Sequence, residues 1–147
     1  MITWGIGTKM SALPHSARLS MDYAFLRGLH IATVHITLVL FLLRAYWMVT
    51  ESPKLEGRWV RIAPHVNDTL LLTAAIAMLA VGGLNPLAQP WLLAKIIGLL
   101  AYIGLGTLAL KRGRTKATRL KALIAALGVF AYIVAVAVTK QVIPGAA

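Results

Sequence analysis

The chain has 147 residues, 59% hydrophobic and only 13% charged, against about a quarter charged in a water-soluble domain. Its 15 Lys+Arg against 4 Asp+Glu give a formal charge of +11, but the basic residues flank apolar runs instead of covering a polar face. The balance reads as a membrane protein with basic loops, not a nucleic-acid-binding one. Cysteine is absent, which excludes disulfides, thiolate metal sites and covalently attached c-type haem.

Residues 1–20 are polar and irregular, with Pro14 and scattered Ser and Thr, and lack the continuous apolar stretch of a signal peptide. They are expected to form a flexible tail, with Met21 an alternative start and residues 21–147 a single domain. Four apolar segments follow, at about Phe25 to Trp47, Ile62 to Gly83, Trp91 to Leu110 and Leu120 to Ile143. Each is long enough to cross a hydrocarbon core of about 30 Å as a helix. Runs this long and uniformly apolar do not suit barrel strands, and the backbone in lipid needs a helix or a closed barrel.

Thr50-Glu51-Ser52-Pro53-Lys54, Gly82-Gly83-Leu84-Asn85-Pro86 and Lys111-Arg112-Gly113-Arg114 break the chain between these segments. Short connections make neighbours antiparallel, which predicts an all-α, up-down-up-down four-helix transmembrane bundle. Arg44, Lys54, Arg58, Arg61, Lys111, Arg112, Arg114, Lys116, Arg119 and Lys121 fall at the end holding the first and third loops. Lys9, Arg18, Arg27 and Lys140 fall at the other. By the positive-inside rule the first and third loops are cytoplasmic and both termini are not.

Lys95 lies inside the third segment, where a cation costs roughly 2.5–3.5 kcal/mol and calls for a partner. His30 and Lys95 both fall about 6–8 Å below the non-cytoplasmic end, so they can share one level. His30, Thr37 and Arg44 form one stripe of the first helix, and Lys95, Gly98, Tyr102 and Gly106 one stripe of the third. The third-helix stripe is read as inward-facing, since small residues let helices approach closely in lipid. Against a ligand contact stands snorkelling of the long Lys95 side chain to the interface. For His30 the alternative is an interhelical hydrogen bond. His35 points about 140° away from His30 and reads as an interhelical contact or a second candidate. Near the cytoplasmic end, His65 and Asp68 share a face, and Arg44 is at the depth to pair with Asp68. That group reads at least as well as a structural Arg44–Asp68 pair pinning two helices as it does as a site, and His65 could ligate a metal, hydrogen-bond a quinone or cap the local network.

No Ser-His-Asp order, phosphate loop, HExxH or EF-hand spacing occurs. Several strings nevertheless carry a resemblance: Leu29-His30-Ile31, Leu40 to Trp47 around Arg44, Trp59 to Leu70 with Pro64-His65 and Asn67-Asp68, Trp91 to Lys95, and Leu110 to Thr115. Occurring in this order, they resemble the SirB family of bacterial inner-membrane proteins, named for invasion-gene regulation, over about residues 21–141. Where that family often has Lys-His-Leu-His, Arg27-Gly28-Leu29-His30 keeps only the second histidine. A more distant likeness is to HemJ-type protoporphyrinogen oxidases and CopD-like proteins, through Leu29-His30-Ile31, Leu40-Phe41 with Arg44, and Trp91 to Lys95, with Leu93 in place of a histidine.

The distant resemblance implies b-type haem or another tetrapyrrole between the first and third helices. His30 would be the axial ligand, Lys95 would meet a propionate and Tyr102 would line the pocket; any enzyme would then be a HemJ-like oxidoreductase. The competing expectations are a non-enzymatic regulatory membrane protein acting through its basic loops, and a quinone protein using Arg44, His65 and Asp68. Expected partners are the lipid bilayer and another membrane protein or a second copy of the chain.

Overall fold

The computed structural model describes residues 14–146; residues 1–13 of the expected tail, Lys9 among them, lie outside the described residues. Four long helices carry the fold: α1 (His15–Val49), α2 (Arg58–Gly82), α3 (Pro90–Thr107) and α4 (Lys116–Thr139). All four, α3 together with its C-terminal turn, are long and apolar enough to cross a membrane, and no strand occurs among the described residues. Large apolar side chains such as Ile97, Leu100, Ile103, Ile124 and Val138 lie exposed on them. A surface of this kind is stable against lipid and not against water.

The helix ends differ from the apolar pattern for local reasons. α1 begins ten residues before Phe25, and residues 15–20, expected in the tail, are helical. The Pro14 carbonyl accepts from the amides of Ala17 and Arg18, and the following turns are polar, so hydropathy alone does not reveal them. α2 begins at Arg58, preceded by a 3-10 turn, Pro53–Glu56, whose Ser52 cap accepts from the Lys54 amide. Pro64 therefore falls in the second turn of α2, where it removes one intrahelical hydrogen bond. α3 opens on Pro90, which suits a first helical position. It closes in a π turn, Leu108–Arg112, capped by the Gly113 amide donating to the Leu108 carbonyl at 2.8 Å. Thr115 caps α4 by accepting from the Thr118 amide. At the other end of α4, Lys140 turns left-handed at φ 54° and ends the helix before Ile143.

The chain divides into two compact units. The first takes the described part of Met1–Leu38 together with His65–Leu84. It pairs the start of α1 antiparallel with the end of α2: Tyr23 lies beside Gly82, and Thr33 and Thr37 lie beside Asn67. Its buried residues, Thr33, Asn67 and Ala74, are small or polar.

The second unit takes Val39–Pro64 with the described part of Asn85–Ala147. Its core is apolar: Phe41, Ala45 and Met48 from the end of α1 meet Tyr102, Ala109 and Leu110, and Ala122, Leu123 and Ala126 of α4. The first and third loops share one end of this unit, as the short connections predict. Lys116 reaches Glu51 at 3.3 Å, and Met48, Glu51, Arg114, Thr115, Lys116 and Arg119 line a cavity of about 200 Å³ between them.

Candidate functional site

In the first unit the polar side chains form a ladder from α1 to α2. Asn67 Nδ2 donates to the Thr33 carbonyl at 2.9 Å and to Thr37 Oγ1 at 2.8 Å. Thr37 Oγ1 in turn donates to Asp68 Oδ1 at 3.1 Å. The Thr33 hydroxyl bonds back to the carbonyls of Leu29 and His30. A membrane helix cannot leave such groups bare in hydrocarbon, so each finds a partner on its own or the adjacent helix. Asp68, expected opposite Arg44, thus has the Thr37 hydroxyl as a partner. His30 is half-buried and His65 exposed. His35, read as an interhelical contact, is instead exposed, with Nδ1 2.7 Å from the Ile31 carbonyl of its own helix.

In the second unit Lys95 is half-buried, with Nζ 5.7 Å from the centre of the Trp91 ring one turn earlier. An ammonium over an indole face is attracted by the ring quadrupole, which supplies Lys95 with a partner inside its own helix. Tyr102 lies buried between Phe41 and Phe130, with ring centroids 5.3 and 5.7 Å away. A Cβ added at Gly98 would lie 2.8 Å from Ile133 Cγ1 of α4.

Of the α3 stripe, Gly98 and Tyr102 face inward as expected and are closed by side-chain packing, while Lys95 meets Trp91 of its own helix. Tyr102 lies inside that packing and lines neither the cavity between the first and third loops nor the cleft beside Arg44. His30 belongs to the first unit and Lys95 and Tyr102 to the second, so neither unit by itself assembles the haem site expected between the first and third helices, and no chemistry is assigned through a tetrapyrrole. Among the described residues no group of three or more His, Asp and Glu side chains is placed to hold a metal ion.

Arg44, also in the second unit, lines an apolar cleft with Leu40, Leu43, Trp47, Trp59, Val60, Ala63 and Pro64. His65 and Asp68 belong to the first unit, so neither unit by itself assembles the expected quinone triad. Sequence reasoning placed Arg44 at this depth but missed the two tryptophans beside it. The spacing Arg44–Trp47 and the Trp59–Pro64 pair were the available signals.

Four apolar helices, buried polar links between them and one strongly basic end define an integral, multi-pass helical membrane protein. Within that class, residues 23–142 match the family model described as "Invasion gene expression up-regulator, SirB", and the chain belongs to the SirB family. It is 35% identical over 124 residues to Protein SirB2 of Salmonella typhimurium, covering 82% of this chain and 96% of that protein. It is 33% identical over 123 residues to Protein YchQ of Escherichia coli, covering 81% and 95%. No solved structure matches.

Proposed function

We propose that the chain is a non-enzymatic regulatory protein of the bacterial inner membrane that works through the basic end of its second unit, facing the cytoplasm. The observation that carries this reading is the charge held there. Arg44, Lys54, Arg58, Arg61, Lys111, Arg112, Arg114, Lys116, Arg119 and Lys121 stand against Glu51 and Glu56 alone. All but Arg44 and Arg119 are exposed. Part of this charge sets topology. The Lys116–Glu51 pair, with side chains 57% and 75% exposed, contributes little stability, so the eight exposed cations can meet an acidic surface on another membrane protein or on a cytoplasmic partner. The family description, an up-regulator of invasion-gene expression, agrees with a regulatory role and names no chemistry.

The test is complementation of a Salmonella typhimurium strain lacking its SirB2 protein, read by an invasion-gene reporter. The triple variant Arg112→Glu, Arg114→Glu, Lys116→Glu keeps seven of the ten cations to hold the topology. It is expected to lose the reporter signal to the vector level at unchanged membrane abundance, while His30→Ala and Lys95→Leu retain it. Full activity of the triple variant, with loss in His30→Ala, would contradict the proposal and return attention to a cofactor at His30.

A further inference from the structure

We propose that the cavity between the first and third loops of the second unit is a binding site for a phosphate group. Arg114, Lys116 and Arg119 line it against a single acid, Glu51, with Met48 and Thr115 completing the wall. Its lining is mainly polar, and its volume of about 200 Å³ is several times the roughly 30 Å³ share of a liquid water, so a phosphate group fits. Three cations against one carboxylate leave an excess of two positive charges, which a phosphate dianion offsets.

The best-fixed of these cations is Arg119. α3 ends in the π turn Leu108–Arg112, and the buried Gly113 caps that turn. A Cβ added at Gly113 would lie 2.5 Å from Arg119 Cγ and 2.8 Å from the Leu108 carbonyl oxygen, so the Arg119 stem occupies the space that a side chain at 113 would need. Arg119 Nε then donates to the Gly113 carbonyl at 2.9 Å. That bond takes Nε alone and leaves the two terminal guanidinium nitrogens without a partner among the described residues. Held at Nε, the guanidinium keeps a planar fork for two phosphate oxygens. Lys116 is shared: its Nζ lies 3.3 Å from Glu51 Oε1, a contact with which a phosphate competes. The N-terminus of α4, capped at Thr115, adds to the positive potential of the same wall. The site draws on the basic end but does not rest on its regulatory role, because phosphate binding is read on the purified protein.

The experiment is equilibrium dialysis of radiolabelled inorganic phosphate against the full chain in dodecyl maltoside, at low salt in a buffer free of other phosphate. Saturable binding of one phosphate per chain is expected. Arg119→Gln should weaken it roughly tenfold, through loss of charge-assisted hydrogen bonds. Gly113→Ala keeps every charge but displaces the Arg119 stem, and should weaken binding in the same direction. Glu51→Gln releases Lys116 and should tighten binding roughly threefold. Glu56→Gln and Lys111→Gln change charge at the same end but outside the cavity, and should each stay within about twofold of the parent. Competition separates the sources of the group. Displacement at lower concentration by dihexanoylphosphatidic acid assigns the site to a lipid headgroup, and by glycerol phosphate to a soluble phosphate ester; either supports the site. Absence of saturable phosphate binding in the parent would overturn the proposal. So would parent-like affinity in Arg119→Gln, or an equal loss in Lys111→Gln, which would mean that the basic end attracts phosphate without any site.

Discussion

Replacing Gly98 with alanine is expected to destabilise the protein by about 1–3 kcal/mol against unfolding in mixed micelles, the usual range for forcing a methyl group into a filled core. The new Cβ would sit 2.8 Å from Ile133 Cγ1, next to a branch point and not at the free end of a flexible chain, so α4 must move for the methyl to fit. Moving α4 disturbs the stacked rings of Phe41, Tyr102 and Phe130, which are packed just along the same interface. Gly104→Ala is the matched control on the same helix: nothing lies within 4 Å of its added Cβ. There the better helix propensity of alanine should leave stability unchanged or slightly higher. Equal stabilities for the two variants would mean that α3 and α4 are not in close contact at Gly98.

The second large effect belongs to Asn67. Asn67→Leu removes two hydrogen bonds, to the Thr33 carbonyl and to Thr37 Oγ1, from a residue only 7% exposed. Interhelical hydrogen bonds in membranes average about 0.6 kcal/mol and reach about 1.7, so a loss of about 1–2 kcal/mol is expected. Thr37→Val removes one of the same bonds together with the donor to Asp68. The two losses should therefore be less than additive in a double-mutant cycle. Additive losses, or an Asn67→Leu variant as stable as the parent, would show that the ladder does not hold α1 to α2.

The helices themselves were legible because a run of some twenty apolar residues has few other uses. Their polar ends were not: the first turns of α1 and α2 carry Arg18, Asp22, Arg58 and Arg61, which hydropathy discards while the helix continues through them. Lys95 shows a different limit. Counting depth from the helix ends gave it a level-mate in His30, but depth fixes height along an axis and says nothing of which side chains meet. The Trp91 ring, four residues earlier on the same helix, was in plain sight as a partner at i,i+4 spacing. The small-residue stripe on α3 was correctly read as inward-facing. Gly98 is small so that α4 can touch it, which is the close approach that small residues allow in lipid. The Asn67 ladder was hidden for a related reason: an amide inside an apolar run announces a partner, but only the pairing of helices shows that the partners are Thr33 and Thr37.

The account rests most directly on the basic end being the cytoplasmic, working end, and the absence of native cysteine makes this measurable with single substitutions. Thr115→Cys lies at the start of α4 beside the third loop, and Leu87→Cys lies in the uncharged second loop and is 83% exposed. With a membrane-impermeant maleimide, Thr115→Cys is predicted to react only in inside-out vesicles and Leu87→Cys only in intact spheroplasts. The reverse pattern would place the ten cations outside the cytoplasm and contradict the proposed function.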